Sequence, residues 1–120
     1  MTLAEQLLQE LRKPYKGKEK AISEAKARSC ISRAYYAAFC TARNQLQIQS
    51  KAAAVHGEVI KQLNDSCDAD LVAAGILLQR LRSQRNTADY DNDALSTYFA
   101  DAQKAHIDAA RAIKLLSCQA

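Results

Sequence analysis

An all-α fold is predicted, an up-and-down bundle of four main antiparallel helices with one short additional helix. Three observations predict it. The abundant residues are Ala, Leu, Gln, Arg and Lys, all strong helix formers, and no stretch alternates with the period of a strand. The 120 residues include only three glycines and one proline, which leaves little material for turns and so favours long helices. Apolar side chains recur at intervals of three and four over long stretches, as one buried face of a helix requires.

The first helix is expected behind Thr2, which with Glu5 has the spacing of a capping box; Leu3, Leu7, Leu8 and Leu11 form its apolar face. It should run to about Lys13, where Pro14 stops it. A much longer helix is expected from Lys18 to about Gln47, with no proline or glycine inside it. Its seam reads Ile22, Ala25, Ser29, Ser32, Tyr36, Phe39, Arg43 and Leu46. A third, short helix carries Val55, Val59 and Leu63 on one face and frays at Asn64 and Asp65.

The fourth helix should begin after Asp68, a good N-cap, with Leu71, Ala74, Leu78, Leu81, Arg85 and Ala88 facing inward. The acidic and amide run Asp89, Asp91, Asn92 and Asp93 breaks the pattern. A last helix is expected from about Ala94 to Ser117, along Leu95, Phe99, Ala102, His106, Ala109, Ile113 and Leu116. Short links between successive helices predict antiparallel neighbours. Residues 1–120 read as a single domain, long enough to close a core without staples and free of repeats or low-complexity stretches.

Composition excludes several classes. With 48% hydrophobic and 25% charged residues the chain is that of a soluble globular protein. No long uncharged apolar run predicts a membrane span, and the N-terminus carries acids inside a short amphipathic pattern instead of a signal peptide. A cytoplasmic location is expected. The four cysteines, Cys30, Cys40, Cys67 and Cys118, include no CxxC pair and no Cys/His cluster of zinc spacing. No metal or cofactor is called for. Cys30 and Cys40 would lie about 15 Å apart along one helix, too far to bridge, and the cysteines read as small buried hydrophobes in a reducing compartment. The net charge is a mild +4. Arg12, Lys13, Lys16, Lys18 and Lys20 crowd one stretch, which suits either an anionic neighbour or a solvated loop and helix start.

Function concentrates in the segment RSQRNTADYD, Arg82 to Asp91, where the fourth helix ends in charged, amide and phenolic side chains. If the second and fourth helices point the same way, Arg43, His56 and the segment Arg85 to Tyr90 gather at one end of the bundle. His106 is expected on the apolar seam opposite the middle of the fourth helix, as a satisfied core histidine. Tyr35 and Tyr36 are expected to pack between helices, Tyr36 on the seam and Tyr35 beside it.

Three pieces, SRAYYAAF at Ser32 to Phe39, His56, and LRSQRNTADY at Leu81 to Tyr90, together resemble a HEPN domain (higher eukaryotes and prokaryotes nucleotide-binding). The resemblance runs from about Ala21 to the end of the last helix. It implies a helical bundle, a homodimer, and a minimal nucleotidyltransferase encoded beside it, often as a toxin and antitoxin pair. Active members resemble metal-independent ribonucleases in which an Arg, a polar residue and a following His act on RNA across the dimer. Arg stabilises the phosphorane charge and His moves a proton.

Arg85 and Asn86 match the first two motif positions, but Tyr90, Asp91 and Asn92 stand where the His belongs. A tyrosine titrates near 10 when unperturbed, and carboxylates repel phosphate. The expectation is therefore an RNA- or nucleotide-binding module with binding residues Arg43, Arg85, Asn86, Asp89 and Tyr90. An alternative is a ribonuclease toxin with Arg85 and His56 as its catalytic pair. A second alternative is a bundle that only docks another protein. In the plainest reading Arg85 pairs with Asp89, one turn on, as an ordinary helix ion pair. The resemblance also invites nucleotide modification of Tyr90 by the partner enzyme.

Overall fold

A computed structural model describes residues 2–10, 18–49, 54–90 and 98–117. These form five helices: α1 (Leu3–Glu10), α2 (Lys18–Leu46), α3 (Val55–Asn64), α4 (Ala69–Tyr90) and α5 (Tyr98–Ser117). The fold is an all-α bundle. Among the described residues there is no strand, no helix long and apolar enough to cross a membrane, and no acid, His and Cys group that could hold a metal. Pro14, the basic stretch through Lys16, Leu95, and residues 91 to 93 lie outside the described residues.

Local chemistry sets the helix ends. The hydroxyl of Thr2 accepts the backbone N–H of Glu5 at 3.1 Å, satisfying one of the donors that the first turn of α1 leaves open. Asp68 does the same for α4, accepting the N–H groups of Asp70 at 2.8 Å and Leu71 at 3.4 Å. α2 stops at Gln47, which takes a left-handed φ of 58°. The N–H of Ile48 then reaches Arg43 O at 3.1 Å and that of Gln47 reaches Asn44 O at 3.2 Å, the paired bonds of a Schellman cap. Ile48 closes the turn by packing on the core.

The core runs along α2 through Ala27, Cys30, Ile31, Ala34, Tyr35, Ala38, Phe39 and Ala42, and is completed from α3, α4 and α5. This departs from the expected seam of α2. Ile22 is 57% exposed and Tyr36 39%, with Ala25 and Ser29 also on the outside, so the buried arc is turned toward Tyr35. The reason lies in packing: α2 contacts α1, α3, α4 and α5, so a broad arc of small residues is buried and a narrow row does not define it. α4 and α5 follow expectation more closely, with Ala74, Leu78, Leu81 and Ala88 buried on one and Ala102, Ala109 and Leu116 on the other.

α4 runs against α2. Arg28, early in α2, donates to the carbonyl of Ala88 near the end of α4, whereas Tyr36, further along α2, meets Arg85, earlier in α4. Helices two and four therefore do not point the same way; Arg43 in the last turn of α2 and His56 in the first turn of α3 nonetheless gather with Arg85 of α4 around the same rings. α4 and α5 also oppose one another. Arg80 grips the buried carboxylate of Asp108 at 3.1 and 3.3 Å, while Asp70 and Ala73 share a groove with Arg111 and Lys114.

Where α3 crosses α4, Gly75 is buried. A Cβ there would sit 2.5 Å from Asn64 Oδ1 and 2.9 Å from Leu63 Cβ, so the approach of the two helices depends on its missing side chain. Of the cysteines, Cys30 is buried and its S–H donates to Ala4 O at 3.7 Å, tying α1 to α2. Cys40 is half-buried and Cys67 exposed, so burial holds for Cys30 but not for Cys67, which sits in the polar turn ahead of α4. Cys118 lies outside the described residues.

Candidate functional site

The α2 sequence Tyr35, Tyr36, Phe39, Arg43 places two aromatic rings at a spacing of four and an arginine one turn beyond, all on adjoining faces. Facing them, the first turn of α3 carries His56, and α4 presents Arg82 and Arg85 three residues apart. These side chains form one cluster. The imidazole of His56 stacks on Phe39 with centroids 4.1 Å apart and planes at 17°. It also lies 5.7 Å from the ring of Tyr35 and 6.1 Å from that of Tyr36. The Tyr35 hydroxyl and His56 Nδ1 share a hydrogen bond of 2.5 Å.

The guanidinium groups surround this stack. Arg85 lies 5.1 Å from the Tyr36 ring centre and 5.7 Å from that of Tyr35, and its Nη2 donates to the Tyr36 hydroxyl at 3.0 Å. Arg43 covers Phe39 at 5.7 Å. Arg82 approaches the first turn of α3, where a Cβ on Gly57 would meet its Nη1 at 3.8 Å. Each cation over a ring adds about 0.5–1 kcal/mol at a partly exposed site. These contacts restrain the guanidinium groups of Arg43 and Arg85.

The electrostatics follow from the same crowding. Burial holds the pKa of His56 below its ordinary 6.5, and Arg82, Arg85 and Arg43 push it the same way. Burial pushes the Tyr35 phenol up to about 12, opposed by Arg82 and Arg85. At neutral pH the pair is therefore an uncharged imidazole and an uncharged phenol set among positive charges. Their hydrogen bond has two protonic forms. Either Tyr35 donates to Nδ1 and the ring hydrogen is on Nε2, or Nδ1–H donates to the phenol oxygen and Nε2 is the base.

The structure thus brings together Arg43, His56 and Arg85. Asn86 is exposed on the turn beyond Arg85. The backbones of Asp89 and Tyr90 form the last turn of α4, but their side chains lie outside the described residues. Arg85 meets Tyr36 from α2, a partner the helix-pair reading did not contain. His106 is half-buried and lines a groove facing α1 and α2, so it is not enclosed against α4 as expected.

Sequence reasoning misses Tyr35 and Tyr36 as members of the site, and places Arg82 in the functional segment without singling it out. The two tyrosines read as packing residues, although the aromatic residues at 35, 36 and 39 beside Arg43 make a ring platform with a cation on it. Arg82 was legible as the residue one turn before Arg85 on the same helix. Comparison with protein-family models, with curated proteins and with solved structures gives no match to this chain.

Chemically the cluster offers two things. Guanidinium groups fixed on aromatic rings suit a phosphate or another planar oxyanion, and the exposed Tyr36 offers a ring face on which a nucleobase can stack. A neutral imidazole kept deprotonated by nearby cations can take a proton from a hydroxyl brought to it.

Proposed function

We propose that the protein is a HEPN-type module that binds RNA or a nucleotide over the cluster of Arg43, Tyr36, His56 and Arg85, as one component of a two-gene system with a minimal nucleotidyltransferase. One observation carries this reading: residues from the three separate motif pieces, Tyr35, Tyr36 and Phe39, then His56, then Arg85, form a single contiguous site. Arg82, from the last of these pieces, faces the same stack. The site supplies phosphate-binding cations and stacking surface together, the combination that single-stranded nucleic acid requires.

The test is binding of a fluorescent single-stranded RNA at several salt concentrations. Affinity should fall steeply with salt, and Arg85→Ala should weaken it roughly tenfold, about 1.4 kcal/mol, while lowering the salt slope by about 0.7. Salt-insensitive binding, or none, would favour the bundle that only docks another protein.

A ribonuclease reading is favoured by the neutral state of His56 beside Arg85. In that reading His56 removes the proton from a 2′-hydroxyl and Arg85 stabilises the charge on phosphorus. Cleavage of tRNA or mRNA should then be lost in both His56→Ala and Arg85→Ala. Intact RNA after incubation with the parent protein across a range of pH rejects it. Sedimentation equilibrium tests the homodimer, and co-purification with a nucleotidyltransferase encoded beside it tests the partner.

A further inference from the structure

Away from the aromatic cluster, α1, α2 and α5 line a half-open pocket of about 430 Å³, at the lower end of the roughly 300–1,000 Å³ typical of small-molecule sites. We propose that this pocket binds a small amphipathic carboxylate, an aliphatic chain ending in a carboxylate group. Its walls owe their space to alanines. Ala34 and Ala37 on α2 face Ala109 and Ala110 on α5, and Ile113 adds apolar surface. Ala34 and Ala109 are only 4% and 5% exposed and form its deep part.

The polar groups lie at the rim and carry mainly one sign. Arg33 from α2 and Lys114 from α5 are both exposed cations, His106 lines the pocket with them, and Glu5 is the acid among the described lining residues. An apolar slot with a cationic rim is complementary to a chain with a negative head. Size selects against a docked helix. One helical turn about 10 Å across and 5.4 Å long fills on the order of 420 Å³, so the slot holds no more than a single turn.

Decanoate is a suitable probe, titrated into the full chain by calorimetry with decanol as the uncharged comparison. One saturable decanoate site per chain is expected, at least tenfold tighter than decanol. Arg33→Gln combined with Lys114→Gln should bring the two ligands to similar affinity. Ala37→Leu, at an exposed position on the wall, should abolish binding of both while the thermal unfolding midpoint is kept; Ala110→Leu fills the slot from the other helix and serves if the first variant unfolds. Absence of saturable decanoate binding overturns the proposal, as does equal affinity for decanol or binding unchanged in a folded Leu variant. Self-association abolished by Ala37→Leu without decanoate binding would assign the slot to a second copy of the chain, and also overturns it.

Discussion

His56 experiences two opposed influences: its stack on Phe39 and its bond to Tyr35 hold it in the bundle, while burial and three arginines disfavour its proton. Its folded pKa lies below the unfolded 6.5, so across that window the unfolded chain binds more protons and stability falls as pH falls. The contribution is complete above 6.5. Thermal unfolding between pH 7.5 and 5 should therefore show a declining midpoint, flatter in His56→Phe, which keeps a ring on Phe39 but cannot titrate. An equal slope in the variant would place the titration elsewhere. At the other extreme the Tyr35 phenol, raised to about 12, gives stability that is whole below pH 10 and lost as pH rises toward 12. Sequence could nominate His56 and Arg85, because His56 is one of only two histidines and Arg85 stands in the polar cluster that ends the fourth helix. It could not rank Tyr35 above Tyr36 for burial. Adjacent tyrosines in a helix differ by only 100° of rotation, and the choice is made by helices far away in the chain.

At the scale of the element, two positions carry conformations or contacts that a single substitution can measure. Gln47 holds the left-handed C-terminal turn of α2, a conformation that costs a side-chain-bearing residue about 1–2 kcal/mol. Gln47→Gly should raise stability by about 0.5–1 kcal/mol, the gain being reduced by glycine's greater freedom when unfolded. Gly75 behaves oppositely. Alanine is the better helix former by about 1 kcal/mol, but its Cβ would meet Leu63 Cβ, which lies on the α3 backbone and cannot swing aside. Gly75→Ala should therefore lower stability by about 1–3 kcal/mol in urea unfolding; a more stable variant would show that α3 can move off α4. The start of α4 behind Asp68 and the end of α3 at Asn64 were legible because polar caps and breakers are local, whereas α4 stays helical through Tyr90, past the break expected at Asp89. The buried face of α2 was not legible, because alanines surround that helix and a three-four spacing can be drawn through more than one face.

For the whole molecule, closeness of packing and ionic ties such as that between Arg80 and Asp108 bear on how the helices sit. Ten of the twenty-one buried hydrophobic residues described are alanines, so the helices approach one another with little side chain between them. The antiparallel run of α5 against α4 follows from their short link, but the direction of α4 relative to α2 was not legible in the sequence, since Arg28 and Arg85 find their partners across the chain. Arg80 and Asp108 show what such a partner is worth. Asp108 is 2% exposed and the Arg80 side chain 48%, so deleting the arginine leaves a carboxylate enclosed between helices without its cation. Arg80→Ala should cost about 1–3 kcal/mol, more than an exposed ion pair contributes. The double variant Arg80→Met with Asp108→Leu removes the enclosed charge as well and should recover most of that loss. Urea unfolding of the two variants against the parent checks this. If the double variant is no better than Arg80→Ala, Asp108 has contacts on α5 that matter beyond its arginine, and α4 is held by packing instead of by charge.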